Sequence, residues 1–187
     1  MCSSDLAGNL TDLAVMVRPP EGMDTIAEPF APHPYVIVAA PNHPLVGQRN
    51  IPLAGLTEEA FVSREKGSDT WNSMQEGFAG RLSNPRIAIE IKSTETIKQA
   101  VIANMGIAFL SVHTVGLELQ TGKLAVLDIQ GFPVMLNWYV VHRKNKRLPP
   151  VALAFKQFLM EEGHTLIQQI TGVEGLIHPH KHGSSHA

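Results

Sequence analysis

Short runs rich in aliphatic and β-branched residues alternate with longer stretches of helical periodicity, and a chain patterned this way buries both kinds of face in an α/β arrangement, a sheet with crossover helices. The short runs are Leu13–Val17, Tyr35–Ala39, Ala60–Ser63, Ile87–Ile91, Ile107–Leu110, Leu124–Leu127 and Leu136–Val141. Each is near the usual strand length, and most are almost continuously apolar, as strands covered on both faces are. The clearest helix is Thr94–Met105, where Ile97, Val101 and Met105 recur at i, i+4 and i+8; Ser93 is its N-cap and Gly106 its stop. A second is expected over Asp69–Leu82 behind Ser68, although Gly77 and Gly80 each lower propensity by roughly 1 kcal/mol relative to Ala. A third starts at Pro149 and Pro150, presents Leu153, Ala154, Phe158 and Leu159 on one face and ends at Gly163. His113–Gln120 makes a short helix stopped by Gly122.

With 187 residues, 44% hydrophobic and 17% charged, the chain is long and apolar enough to bury a core without disulfide or metal staples. A disordered acidic chain, a collagen-like repeat and a charged coiled coil are excluded. A net charge of −2 gives no global electrostatic reason to bind nucleic acid or an anionic membrane, so a DNA-binding role cannot rest on this chain alone. The single cysteine, Cys2, forms no intrachain disulfide, which favours a reducing compartment and a cytoplasmic location. Asp5, Gly8, Asn9, Thr11 and Asp12 break any secretory pattern at the start, and the longest apolar stretches are strand-sized; a soluble protein is expected.

Two strand-to-helix turns carry the chemistry. SREKGSDT (residues 63–70) and KSTET (residues 92–96) each deliver small hydroxyl residues to a helix N-terminus, where first-turn N–H groups lack intrahelical partners and the dipole is positive. A phosphate or carboxylate fits such an end, with Gly67 allowing close backbone approach and Arg64, Lys66 and Lys92 supplying charge. The same Ser68 and Ser93 serve equally as ordinary caps, but two such turns in one α/β lobe favour a ligand site, since open α/β sheets bind ligands at strand carboxyl ends. His178, His180, His182 and His186 lie in a Gly/Ser-rich end without acidic or cysteine partners, so no metal role is assigned, and 176–187 is expected to be a disordered tail. The basic run HRKNKR (residues 142–147) reads as a solvated turn and has no interleaved aromatics for stacking on bases. There is no Gly-x-Ser-x-Gly elbow, Walker loop, His-Glu-x-x-His or Cys–His pair, so no enzyme activity and no cofactor is expected.

The residues resemble the effector-binding domain of LysR-type transcriptional regulators, and within it the regulators of Calvin-cycle and RuBisCO operons. The resemblance covers about residues 12–162 and is carried by DLAVMVRPP (12–20), EPFAPHPYVIVAAPNHPL (28–45), FVSREKGSDT (61–70), ETIKQAVIANMGIAFLSVHTVGLELQTGKLAVLDIQGFP (95–133) and WYVVHRKNKRL (138–148). It implies two α/β lobes like a type 2 periplasmic binding protein, joined by two crossovers with a small effector between them. Laid on this chain, lobe II is 36–111, an incomplete lobe I is 12–34 with 113–163, and 164–187 is a C-terminal extension. The crossovers would be residues 30–35, stiffened by Pro32 and Pro34, and residues 110–113.

The resemblance further implies that the N-terminal DNA-binding domain, a linker helix and the first part of lobe I are absent, which would expose an apolar edge. DNA would be reached only through that missing domain, and the full-length regulator would be a homodimer or homotetramer with no membrane partner. The effector-binding residues it points to are Ser63, Arg64, Gly67, Ser68 and Thr70 in the first turn, Ser93, Thr94 and Glu95 in the second, Arg18 on the lobe I rim and His113 at the hinge. Trp71 stands where the subgroup often has Arg, which removes part of the charge complement for a phosphorylated effector, and Val17 stands where Gly is frequent, which would narrow the rim beside Arg18. The function implied is sensing, for carbon-fixation genes, of a small metabolite bound between the lobes: a sugar phosphate, phosphoenolpyruvate or a nicotinamide cofactor. A transporter's solute-binding protein of the same fold is the alternative, and an enzyme on that fold a third reading.

Overall fold

The computed structural model describes residues 5, 6, 8 and 10–171. In chain order the elements are β1 (Ala14–Met16), β2 (Thr25–Ala39), a one-turn 3-10 helix (Leu53–Leu56), β3 (Phe61–Arg64), α1 (Asp69–Phe78), β4 (Ile87–Ile91), α2 (Thr94–Ile102), β5 (Ala108–Ser111), α3 (Val112–Gln120), β6 (Ala125–Val126), β7 (Val134–Arg143) and α4 (Pro150–Thr171). The class is α/β. All seven apolar runs fall on strands and all four periodic segments on helices.

The chain forms two compact units, Met1–His33 with Leu136–Ile170, and a second built on Pro34–Met135. In the first unit β1 pairs antiparallel with β7, Ala14 opposite Val141 and Met16 opposite Tyr139. Ala14 and Met16 alternate inward, as a strand's period of two requires, and join Leu6 and Val141 in a small core flanked by Met23 and Ala27. The helix α4 does not stop at Gly163 as expected but continues to Thr171. Gly163 is instead a close contact: a Cβ there would lie 2.8 Å from the Phe30 ring. On the same helix Lys156 pairs with Glu28 and its Nζ lies 3.3 Å from Nε2 of His142. Val151, Leu153, Phe155, Phe158 and Met160 of α4 remain exposed.

In the second unit β2 pairs antiparallel with β5, Tyr35 opposite Ser111 and Val38 opposite Ala108, and β6 adds to β2 at Val38 and Ala39. β3 and β4 run parallel, and Phe61 bridges Ile107 beside β5, also parallel. One core cluster unites Val36, Val62, Ile97, Val101, Leu110 and Val115, while Phe78 packs edge-on against both Phe61 and Phe109 at 5.7 and 5.9 Å between centroids.

Two boundaries differ from expectation. Residues 30–35 lie inside the 15-residue strand β2, with the unit boundary between His33 and Pro34. The second passage falls between Met135 and Leu136 within β7, not at residues 110–113. Residues 113–135 stay with the second unit because Val112, Val115 and Leu124 share the core of Val36, Val62 and Ile97. Helix α2 ends at Ile102, and Gly106 belongs to a different job: its Cβ would sit 2.3 Å from the Ala60 carbonyl oxygen. The tail 172–187, with its four histidines, lies outside the described residues.

Candidate functional site

The parallel register of β3 and β4 sets Ser63 opposite Glu90 and Arg64 opposite Ile91, so both strands finish at the same end and the two turns that follow emerge side by side. Ser63 is buried on β3. From the end of that strand Arg64 donates through Nε and Nη2 to the two carboxylate oxygens of Glu65, at 2.8 and 3.1 Å, and through Nη1 to Oγ1 of Thr94 at 3.2 Å. The hydrogen bond to Glu65 raises the Arg64 pKa further and, from the other side, holds the Glu65 carboxyl below its ordinary range. A permanent cation therefore bridges the β3 end and the first turn of α2.

Local sequence chemistry builds each turn. The Ser68 N–H donates to the Glu65 carbonyl at 3.1 Å, with Gly67 third in the turn at φ +83°, the left-handed position a type II turn reserves for glycine. Ser68 is extended and its hydroxyl oxygen accepts the Trp71 N–H at 3.2 Å; Ser93 likewise accepts the Thr96 N–H at 3.3 Å. A hydroxyl that accepts at a cap still carries one proton to donate. Thr70 lies in the first turn of α1, as Thr94 does in α2. Two positive helix ends, their hydroxyls and the guanidinium that Glu65 holds in place are groups of the kind that can receive an anion.

Glu95, His113 and Arg18 are also expected at the site. Glu95 is 64% exposed, and its carboxylate takes Nζ of Lys98 at 2.7 Å and Nε2 of Gln99 at 3.1 Å. His113 is the second residue of α3, its N–H bonded to the Ser111 hydroxyl at 3.2 Å, and burial lowers its pKa, which favours the neutral ring. Arg18 belongs to the other unit, two residues beyond β1, next to buried Val17. Trp71 lines a groove of about 480 Å³ with Lys66, Gln75, Ile87 and Ile89; neither Arg64 nor Thr94 lines it. In the basic run, Lys146 is neutralised by Asp12 at 2.8 Å and His142 is buried. Among the described residues no group of three His, Cys, Asp or Glu side chains could hold a metal, and no helix is long and apolar enough to cross a membrane.

The sequence reading missed Lys98 and Glu118. Lys98 Nζ lies 2.8 Å from Oε1 of Glu118, both side chains nearly buried, at 12% and 10% exposure. Burial alone would lower the Lys98 pKa, but the hydrogen bonds to Glu118 and Glu95 outweigh it and raise the value. A signal was present: a lone acid in the apolar segment VHTVGLELQ must find a cation if its helix packs.

Residues 2–163 match the LysR substrate binding domain, and the chain belongs to that family. Within it the chain is 43% identical over 157 residues to the RuBisCO operon transcriptional regulator of Allochromatium vinosum, covering 84% of this chain and 52% of that protein. It is 45% identical over 156 residues to the regulator CfxR of Cupriavidus necator, covering 83% and 49%. The regulatory domain of Synechocystis CcmR, solved in complex with 2-phosphoglycolate, superposes with a TM-score of 0.81 at 38% identity over 85% of this chain and 76% of that one. The QuiR effector-binding domain, solved with shikimate, shares the fold at TM-score 0.76 and 23% identity. These domains have the two-lobed periplasmic-binding-protein-like fold. The chain spans about half the length of the curated relatives it matches.

Proposed function

We propose that this chain is the effector-sensing part of a cytoplasmic transcriptional regulator of carbon-fixation genes, and that its effector is a small phosphorylated carboxylic acid. The reading is supported by the Arg64 to Thr94 hydrogen bond, which ties a guanidinium from the end of β3 to the N-terminus of α2, beside the turn that leads into α1. The phosphoryl group would accept bonds from Ser93, Thr94, Ser68 or Thr70 and from first-turn N–H groups, with Arg64 balancing charge. The 38%-identical CcmR domain, solved with 2-phosphoglycolate, favours that ligand class. Nothing is turned over: a ligand acts by binding one arrangement of the domain better than another, shifting the populations that a DNA-binding portion elsewhere in the full-length oligomer reads.

Calorimetric titration of the 187-residue chain tests this. Binding of 2-phosphoglycolate with at least tenfold preference over glycolate is expected; equal affinity for the two would remove the phosphate from the reading.

A further inference from the structure

An anion site at the head of α2 has a built-in opponent, because Glu95, in the first turn, carries a carboxylate close to where the phosphoryl group is expected. A first-turn acid stabilises its own helix through the dipole, yet it repels any dianion brought to the same end. Glu95 is not left to do so. Lys98, one turn further along the same helix, holds Oε2 of Glu95 at 2.7 Å while Gln99 donates to Oε1 at 3.1 Å. Lys98 is itself shared. Its ammonium reaches across to α3 and takes Oε1 of Glu118 at 2.8 Å. One positive charge thus serves two carboxylates, one almost buried and one exposed, and the other oxygen of Glu118 is buried without a hydrogen-bond partner.

Resting on the effector reading above, we propose that Glu95, Lys98 and Glu118 form a charge-setting cluster beside the anion site: Lys98 is the positioning residue that neutralises Glu95, and Glu118 limits how far it does so. The cluster determines affinity for a doubly charged ligand without touching it. Partly buried charges are poorly screened, so removing one of them changes the potential at the helix head even where no contact is lost. The signs follow from the arrangement. Lys98→Met leaves two carboxylates unopposed and weakens binding. Glu95→Gln removes the repelling charge and strengthens it. Glu118→Gln gives Lys98 wholly to Glu95 and also strengthens it.

The test is calorimetric titration of the 187-residue chain and these three variants with 2-phosphoglycolate, each variant checked for a cooperative melt. Lys98→Met should bind several-fold more weakly, Glu95→Gln and Glu118→Gln several-fold more tightly, and Lys98→Arg should keep wild-type affinity. Raised salt should shrink the differences. A purely structural ion pair predicts something else: Lys98→Met and Glu118→Gln would both lose stability and neither would bind more tightly. Glu95 is exposed and Gln keeps its length, so unchanged or weaker binding by a Glu95→Gln variant that melts cooperatively overturns the proposal while leaving the site standing. A wild-type chain that binds no 2-phosphoglycolate overturns the effector reading and this cluster's role with it.

Discussion

Arg64 and Thr94, thirty residues apart, meet at 3.2 Å between a guanidinium nitrogen and a hydroxyl oxygen, and that bond joins the end of β3 to the head of α2. The same guanidinium grips Glu65 with its other two nitrogens, so its fork is fixed in place before any ligand arrives. A lysine could supply the charge but not three donors in one plane. Arg64→Lys is therefore predicted to weaken 2-phosphoglycolate binding about tenfold or more while leaving the melting temperature within a few degrees, by calorimetry and thermal melts on the same preparations. Wild-type affinity in this variant would take Arg64 out of the site.

The hydroxyls separate into two kinds. Ser68 and Ser93 cap their helices, so an alanine at either costs about 1 kcal/mol of stability as well as any ligand bond. Thr70 lies inside the first turn of α1 and caps nothing, which makes it the cleaner probe. Thr70→Ala and Ser93→Ala are each expected to weaken binding of a phosphorylated metabolite several-fold, whereas Thr165→Ala, exposed on α4, changes nothing. If both site variants titrate like wild type, the two turns do not receive an anion.

How far the sequence could be read depends on which interactions are local. Strand and helix cores follow from periodicity, and Ile87–Ile91 is a strand in both readings, with identical ends. The caps Ser68 and Ser93 are local signals and are also found. β2 is longer than its apolar run because Pro29, Pro32 and Pro34 lock a φ compatible with extended chain and bias the residues before them the same way. Punctuation by Pro and Gly is ambiguous for this reason. Gly163 reads as a helix stop, yet it is small because Phe30 presses on it. Arg64 with Thr94, and Lys98 with Glu118, depend on strand register and helix docking, which periodicity does not encode.

Gly106 gives a sharp prediction about packing. Its missing Cβ would stand 2.3 Å from the backbone oxygen of Ala60, and that oxygen already accepts the Ile107 N–H at 2.8 Å, so the backbone cannot give way cheaply. Gly106→Ala should cost at least about 2 kcal/mol, lowering the melting temperature by roughly 4–8 °C for a domain of this size. Gly55→Ala, whose Cβ would find its nearest neighbour at 3.6 Å, is the control and should be close to neutral. Equal melting temperatures in the two variants would contradict the close approach.

His113 links pH to stability. Burial lowers its pKa in the folded state, so as pH falls the unfolded chain takes up a proton before the folded one does. Stability then rises with pH wherever the unfolded state holds more protons. The contribution of the neutral ring is complete above the ordinary histidine value of about 6.5 and is lost as pH falls through the lower folded-state value. His113→Gln removes that titration while keeping a polar side chain. The prediction is a smaller loss of urea midpoint between about pH 7.5 and about pH 5 in the variant than in the wild type. Since acid loosening through His113 would act at the start of α3, the helix that carries Glu118, the same variant should also make 2-phosphoglycolate affinity less sensitive to pH over that interval. Parallel stability curves for the two proteins would show that His113 titrates alike in both states.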